Sequence, residues 1–70
     1  PFGQRALLSR DGVTWSDELI LRDDGLDGDL GYPASVELPD GELLTVYYQR
    51  LSGDAKTSVL STRWHLPEII

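Results

Sequence analysis

The sequence predicts an all-β fold, an antiparallel meander of short strands. Three observations carry that expectation. The apolar residues alternate with polar ones or cluster in short β-branched and aromatic runs, and no segment shows a 3.6-residue period. Clusters of Asp, Gly, Ser and Pro separate these runs at intervals of roughly 8–12 residues. The run "ELLTVYYQ" is rich in β-branched and aromatic residues, which favour strands.

The elements follow in order. "RALLSR" is a short apolar run that ends at the turn "SRDGVTWS" (residues 9–16). "ELILR" alternates and reads as the partner strand. "DDGLDGDLGYP" is dominated by Asp and Gly, ends in Pro, and reads as a loop. "ASVEL" has period two, and "PDG" marks a tight turn to "ELLTVYYQ", the strand with the richest β-forming composition. "LSGDAK" is a second turn, and "TSVLSTRWHL" is the last strand, stopped by Pro67. Tyr47 and Tyr48 must face opposite sides of their strand, so only one belongs to the core. Strands of this spacing form a sandwich, a barrel or a propeller. Lone pieces of such folds have open edges, and propellers remove most of that exposure by radial repetition.

Size and charge narrow the function classes. With 70 residues and no disulfide, the chain buries little core alone. That predicts a fragment of a larger fold or an oligomer. Its 12 acidic and 6 basic residues give a formal charge of -6, with no basic stripe for nucleic acid. No apolar run reaches membrane-spanning length, and no signal peptide is visible. The absence of cysteine is compatible with any compartment, cytoplasm included.

Residues 9–16 carry a family resemblance. Ser9, Asp11, Gly12, Thr14 and Trp15 resemble the Asp-box, or BNR repeat, of the sialidase superfamily, one residue shorter between Asp11 and Trp15 than the usual form. In that family the box is a hairpin between the outer strands of a propeller blade. The physical reading agrees: Asp11 can accept N–H bonds within its own turn, Gly12 can take positive φ, and Trp15 can plug the side of the blade. "GYPASVELPDGELLTVYY" is similar to the last blade of such a propeller, and "VLSTRWHLPE" to its closing strand. The resemblance implies about one and a half blades of a β-propeller, six-bladed in the family. Residues 1–25 are then the outer strands of one blade with the Asp-box hairpin, and residues 26–70 three strands of the final blade.

The resemblance also implies a function: part of a glycoside hydrolase, a carbohydrate-binding enzyme that needs no cofactor and no metal. A secreted or periplasmic location would suit the family. The matching position makes Tyr32 the catalytic nucleophile, an exception to the two-carboxylate pattern of glycosidases. A phenol with a pKa near 10 needs a base, which the family supplies as a Glu from another blade. Arg5 would correspond to a carboxylate-binding arginine, although it stands closer to the box than the family's residue does. Tyr48 occupies a place where sialidases commonly carry Glu. These two departures leave a neutral or differently charged sugar as compatible with the pattern as sialic acid.

Asp29, two residues before Gly31, is a candidate to bond sugar hydroxyls, while Asp23, Asp24 and Asp27 read as solvated loop carboxylates. The loop does not follow EF-hand spacing, so calcium binding is the minor alternative. The bland reading of Tyr32 is packing at a loop–strand junction, with Pro33 fixing the bend. His65 has no partner pattern and no assigned role. The partners implied are a carbohydrate and either the rest of the propeller or further copies of the chain. An alternative function is a lectin-like propeller module that binds carbohydrate and assembles by oligomerisation.

Overall fold

The computed structural model describes residues 2–67. Five antiparallel strands form two sheets and no helix occurs among the described residues. Strands β1 (Phe2–Ala6) and β2 (Leu19–Gly25) make a two-stranded sheet. Strands β3 (Gly31–Glu37), β4 (Leu43–Gln49) and β5 (Ser58–Trp64) make a three-stranded sheet in the order β3-β4-β5. The expected all-β meander is therefore the fold. The break between the two sheets falls between Gly25 and Gly31.

Three boundaries differ from expectation. β1 starts at Phe2 and ends at Ala6, so Leu7 and Leu8 of the apolar run lie outside it and Leu7 is exposed. β2 continues through Asp23, Asp24 and Gly25, which read as loop residues in sequence. Its Asp24 is held in place by Arg22 (2.6 Å) and by the Gln49 amide (2.9 Å). β3 begins at Gly31, so Tyr32 and Pro33 lie within a strand.

The tight turns form as their residues dictate. Asp40-Gly41 closes β3–β4, with Gly41 at φ 86° and bonds from Leu38 N to Glu42 O and from Gly41 N to Leu38 O. Asp40 Oδ1 accepts the Glu42 N–H at 3.0 Å. Gly53, at φ 89°, serves the β4–β5 turn.

Strand alternation sorts β4 into two faces. Thr45, Tyr47 and Gln49 are buried on one face. Tyr47 is thus the core tyrosine and Tyr48 faces the other way, as alternation requires. The buried face is laced by side-chain hydrogen bonds: Trp64 Nε1 donates to Thr45 Oγ1 at 2.8 Å, Ser35 Oγ bonds Thr45 Oγ1 at 2.7 Å, and Tyr47 Oη bonds Thr62 Oγ1. The β1–β2 sheet reaches this face through the Asp24–Gln49 bond, and Leu26 N bonds the carbonyl of Arg50 at 2.8 Å.

The opposite face carries Val36 beside Leu44, Ala34 beside Val46, and Val59 beside Tyr48. This face is apolar and open: Val36 is 55 % exposed, Val46 39 % and Val59 82 %. Edge strand β3 is exposed from Tyr32 to Glu37. Among the described residues Tyr47 is the only buried hydrophobic side chain. Burial of apolar area is the main favourable term in folding, so this arrangement gains little of it.

One glycine sets how closely β1 and β2 approach. A Cβ on Gly3 would lie 1.9 Å from the Arg22 carbonyl oxygen, which is backbone and cannot rotate away. Gly3→Ala is expected to cost about 1–3 kcal/mol through that overlap. Amide hydrogen exchange should show lost protection in β1 and β2, with β4–β5 pairing kept. Unchanged protection in β1 would contradict the assigned register.

Candidate functional site

The residues singled out in the sequence fall into two places, with Arg5 apart from both. The first is the loop of residues 9–16, expected to be architecture. Ser9 Oγ accepts the N–H groups of Asp11 (3.3 Å) and Gly12 (2.8 Å) and donates to Asp11 Oδ1 at 3.1 Å. Asp11 Oδ1 accepts the N–H groups of Val13 and Thr14, each at 2.8 Å, and Gly12 has φ 77°. Ser16 Oγ accepts from Leu8 N while Ser16 N donates to Leu8 O, pinning the base of the loop. The polar groups of this segment therefore serve the turn, as their spacing predicts.

Trp15 departs from its expected role as a plug and is 56 % exposed. The β1–β2 pairing ends at Ala6 and Leu19, so the loop that carries Trp15 extends beyond the sheet. Trp15, Leu8 and Arg10 instead border an open cleft of about 340 Å³.

The hydrogen bonds from Thr14 and Val13, then from Ser9, hold the Asp11 carboxyl below its ordinary value of 3.8. Arg22 lowers Asp24 in the same direction, and Arg50 lowers Asp27. A depressed native pKa contributes stability above the unfolded value, and that stability disappears as pH falls through the native value. Unfolding midpoints in urea are thus expected to hold from pH 7 to about 5 and to fall below pH 4. Asp11→Asn should flatten part of that acid limb. A midpoint that rises on acidification would contradict these assignments.

The second place is the start of β3. Gly31 pairs with Tyr48 and Ala34 with Val46, so β3 spends one more residue than β4 on this step. This is a β-bulge, which locally re-aims a side chain. Tyr32 sits in it at φ 50°, in the left-handed region that a bulky residue rarely adopts. Pro33 follows, and it fits because a bulge on an edge strand has no ladder donor to lose. The Tyr32 side chain is 88 % exposed, and its ring packs on Tyr48 with centroids 5.6 Å apart and planes at 36°. Such a tilted pair is within the favourable range for aromatic contacts. Desolvation first, and then the Asp29 charge and Tyr32, push the Tyr48 phenol upward.

Tyr32, Tyr48 and Asp29 are thus one group, and sequence reasoning missed the part of Tyr48. The available signal was its parity: alternation put it on the face opposite Tyr47, the face from which Tyr32 is reached. Behind the group Arg50 pairs with Asp27, 23 residues away in sequence. Asp29 N donates to Asp27 Oδ1 at 3.0 Å, tying the loop together.

Arg5 is engaged at the β1–β2 sheet: it pairs with Glu18, just before β2, at 2.9 Å and donates to the carbonyls of Gln4 (3.3 Å) and Arg22 (2.7 Å). Asp23 is exposed, while Asp24 and Asp27 are ion-paired rather than simply solvated. Arg63 pairs with Glu42 at 2.8 Å, and Trp64 Nε1 donates to Thr45 within its own sheet. His65 is exposed. Among the described residues, no group of three or more His, Cys, Asp and Glu side chains is arranged to hold a metal ion. No helix among them is long and apolar enough to cross a membrane.

Comparison with known proteins gives no relative to set beside this geometry: no protein-family model, curated protein or solved structure matches the chain significantly.

Proposed function

We propose that the chain is the C-terminal part of a sialidase-like β-propeller glycoside hydrolase. Residues 1–25 would be the outer strands of one blade and residues 26–70 three strands of the final blade. The observation that carries the reading is Tyr32: an exposed phenol in a bulge at positive φ, beside a second tyrosine and next to the Asp29 loop. Backbone outliers of this kind cluster at active sites and ligand clamps. Two further features support it. Residues 9–16 fold by the Ser–Asp hydrogen bonding that an Asp-box turn needs. The open apolar face of β3–β5 suits contact with another blade.

In this reading Tyr32 Oη attacks the anomeric carbon as the bond to the leaving oxygen breaks. A base takes the phenol proton and an acid protonates the leaving group. Water then displaces the tyrosine from the glycosyl intermediate, and the sugar leaves with retained configuration. In the family the base is a Glu from another blade, and no glutamate of these strands can take its place. Glu42 is engaged with Arg63, and Glu37 lies at the far end of β3, about 16 Å from Tyr32 at strand rise. This chain alone is therefore not expected to hydrolyse glycosides.

The test is hydrolysis of a panel of aryl glycosides by the longer polypeptide that carries this segment. Release of aglycone that requires Tyr32 supports the reading, and an inert polypeptide with folded blades counts against it. A second reading is a lectin-like module built from several copies of the chain, which the same open face favours. Light scattering separates the two: a closed ring of 7.8 kDa chains supports the module, a monomer the fragment.

A further inference from the structure

The charges and rings around Tyr32 restrict what kind of sugar could lie there. Two phenol rings, one almost fully exposed, present a tilted aromatic surface beside the Asp29 loop. Gly31 is the Cα partner of Tyr48, so Asp29, two residues before it, enters at the level of that ring. The nearby guanidinium of Arg50 is engaged by Asp27. Arg50 feels the charge of Asp29 as well as that of Asp27, and the two carboxylates outnumber its single guanidinium, so the loop keeps a net negative charge beside the rings. A cation over a tyrosine face is attracted by the ring quadrupole, and a carboxylate beside it adds to that attraction. A carboxylated sugar would meet like charge instead. The overall charge of -6 works in the same direction at longer range.

Resting on the carbohydrate reading above, we propose that Tyr32, Tyr48 and Asp29 form a subsite for an amino sugar, with its ammonium between Asp29 and the tyrosine rings. The raised Tyr48 phenol is consistent with this placement, since desolvation and Asp29 both keep it protonated as a donor. Arg50 Nε is buried without a protein partner and is the feature an anionic sugar would exploit.

The experiment is a set of NMR titrations of the 70-residue chain with methyl glycosides of glucosamine, glucose and glucuronic acid, and with methylammonium. The ring resonances of Tyr32 and Tyr48 are followed. The glucosaminide is expected to bind about five- to tenfold more tightly than the glucuronide. Asp29→Asn should bring that ratio to about twofold or less, while Asp40→Asn, on the β3–β4 turn at the opposite end of the sheet, leaves it unchanged. Equal or tighter glucuronide binding overturns the amino-sugar inference and leaves the carbohydrate reading standing. So does a preference that survives Asp29→Asn. Methylammonium binding as tight as the glucosaminide leaves a cation site and removes the sugar. If no glycoside shifts either tyrosine, the amino-sugar inference fails, and the carbohydrate reading is decided by hydrolysis in the longer polypeptide.

Discussion

Tyr32→Phe is expected to lower glycoside hydrolysis by the proposed propeller on the order of a thousandfold, with KM little changed. The substitution removes one oxygen. The ring, its contact with Tyr48 and the bulge that holds it all remain possible, because Phe meets the same backbone demands as Tyr. Binding through the ring should therefore persist while the covalent step is lost. That split separates a nucleophile from a ring that merely packs or contacts the sugar. A contact role would move KM and leave kcat within a few-fold. Tyr48→Phe gives the complementary expectation: a modest loss in binding, since its hydroxyl acts beside Asp29 rather than on the anomeric carbon.

The second large effect concerns the fold. Tyr47→Ala is expected to cost about 3–5 kcal/mol, the usual range for deleting a buried aromatic side chain. Tyr47 is the only buried hydrophobic residue among those described, at 3 % exposure. Its hydroxyl bonds Thr62 Oγ1, so the deletion also leaves a polar group of β5 without its partner. A small domain holds few kilocalories in reserve, so the variant should lose amide dispersion and β-sheet circular dichroism at 25 °C. Tyr47→Phe removes only the hydrogen bond and should cost about 1 kcal/mol. Similar urea midpoints for the Ala variant and the wild type would show that the sheet is held by something other than this layer.

What the sequence made legible follows from the range of each signal. β4 and its two turns were readable because alternation, Asp-Gly and Ser-Gly act over a few residues. The loop of residues 9–16 was readable for the same reason, since each acceptor serves an N–H two or three residues away. β2 was cut short because Asp-Asp-Gly has turn composition, and its Asp24 is kept in the strand by Gln49, 25 residues later. The apolar run "RALLSR" suggests a later start for β1 than pairing with β2 allows, since that pairing, through two register shifts, uses Phe2–Ala6. Trp15 was expected to be covered, but cover depends on what stands beside the hairpin and not on the hairpin's own residues.

The site shows the same division. Tyr32 was singled out from its place before a strand and an Asp-Gly turn, and Asp29 from its place in the loop. Their union with Tyr48 depends on a one-residue bulge between Gly31 and Ala34, which no local pattern announced. Arg5 was chosen for its charge and its position before the box. The sheet instead commits it to Glu18 and two carbonyls, a use that is invisible without the β1–β2 register.

The account rests above all on Tyr32 as the residue that takes the glycosyl group. The direct measurement is peptide mass spectrometry of the enzyme quenched in acid during its first turnover of an aryl glycoside. The account predicts that the peptide containing Tyr32 carries one glycosyl unit, and that Tyr32→Phe abolishes the adduct. Aglycone released at full rate with Tyr32 unmodified, or an adduct on any other residue, would contradict it.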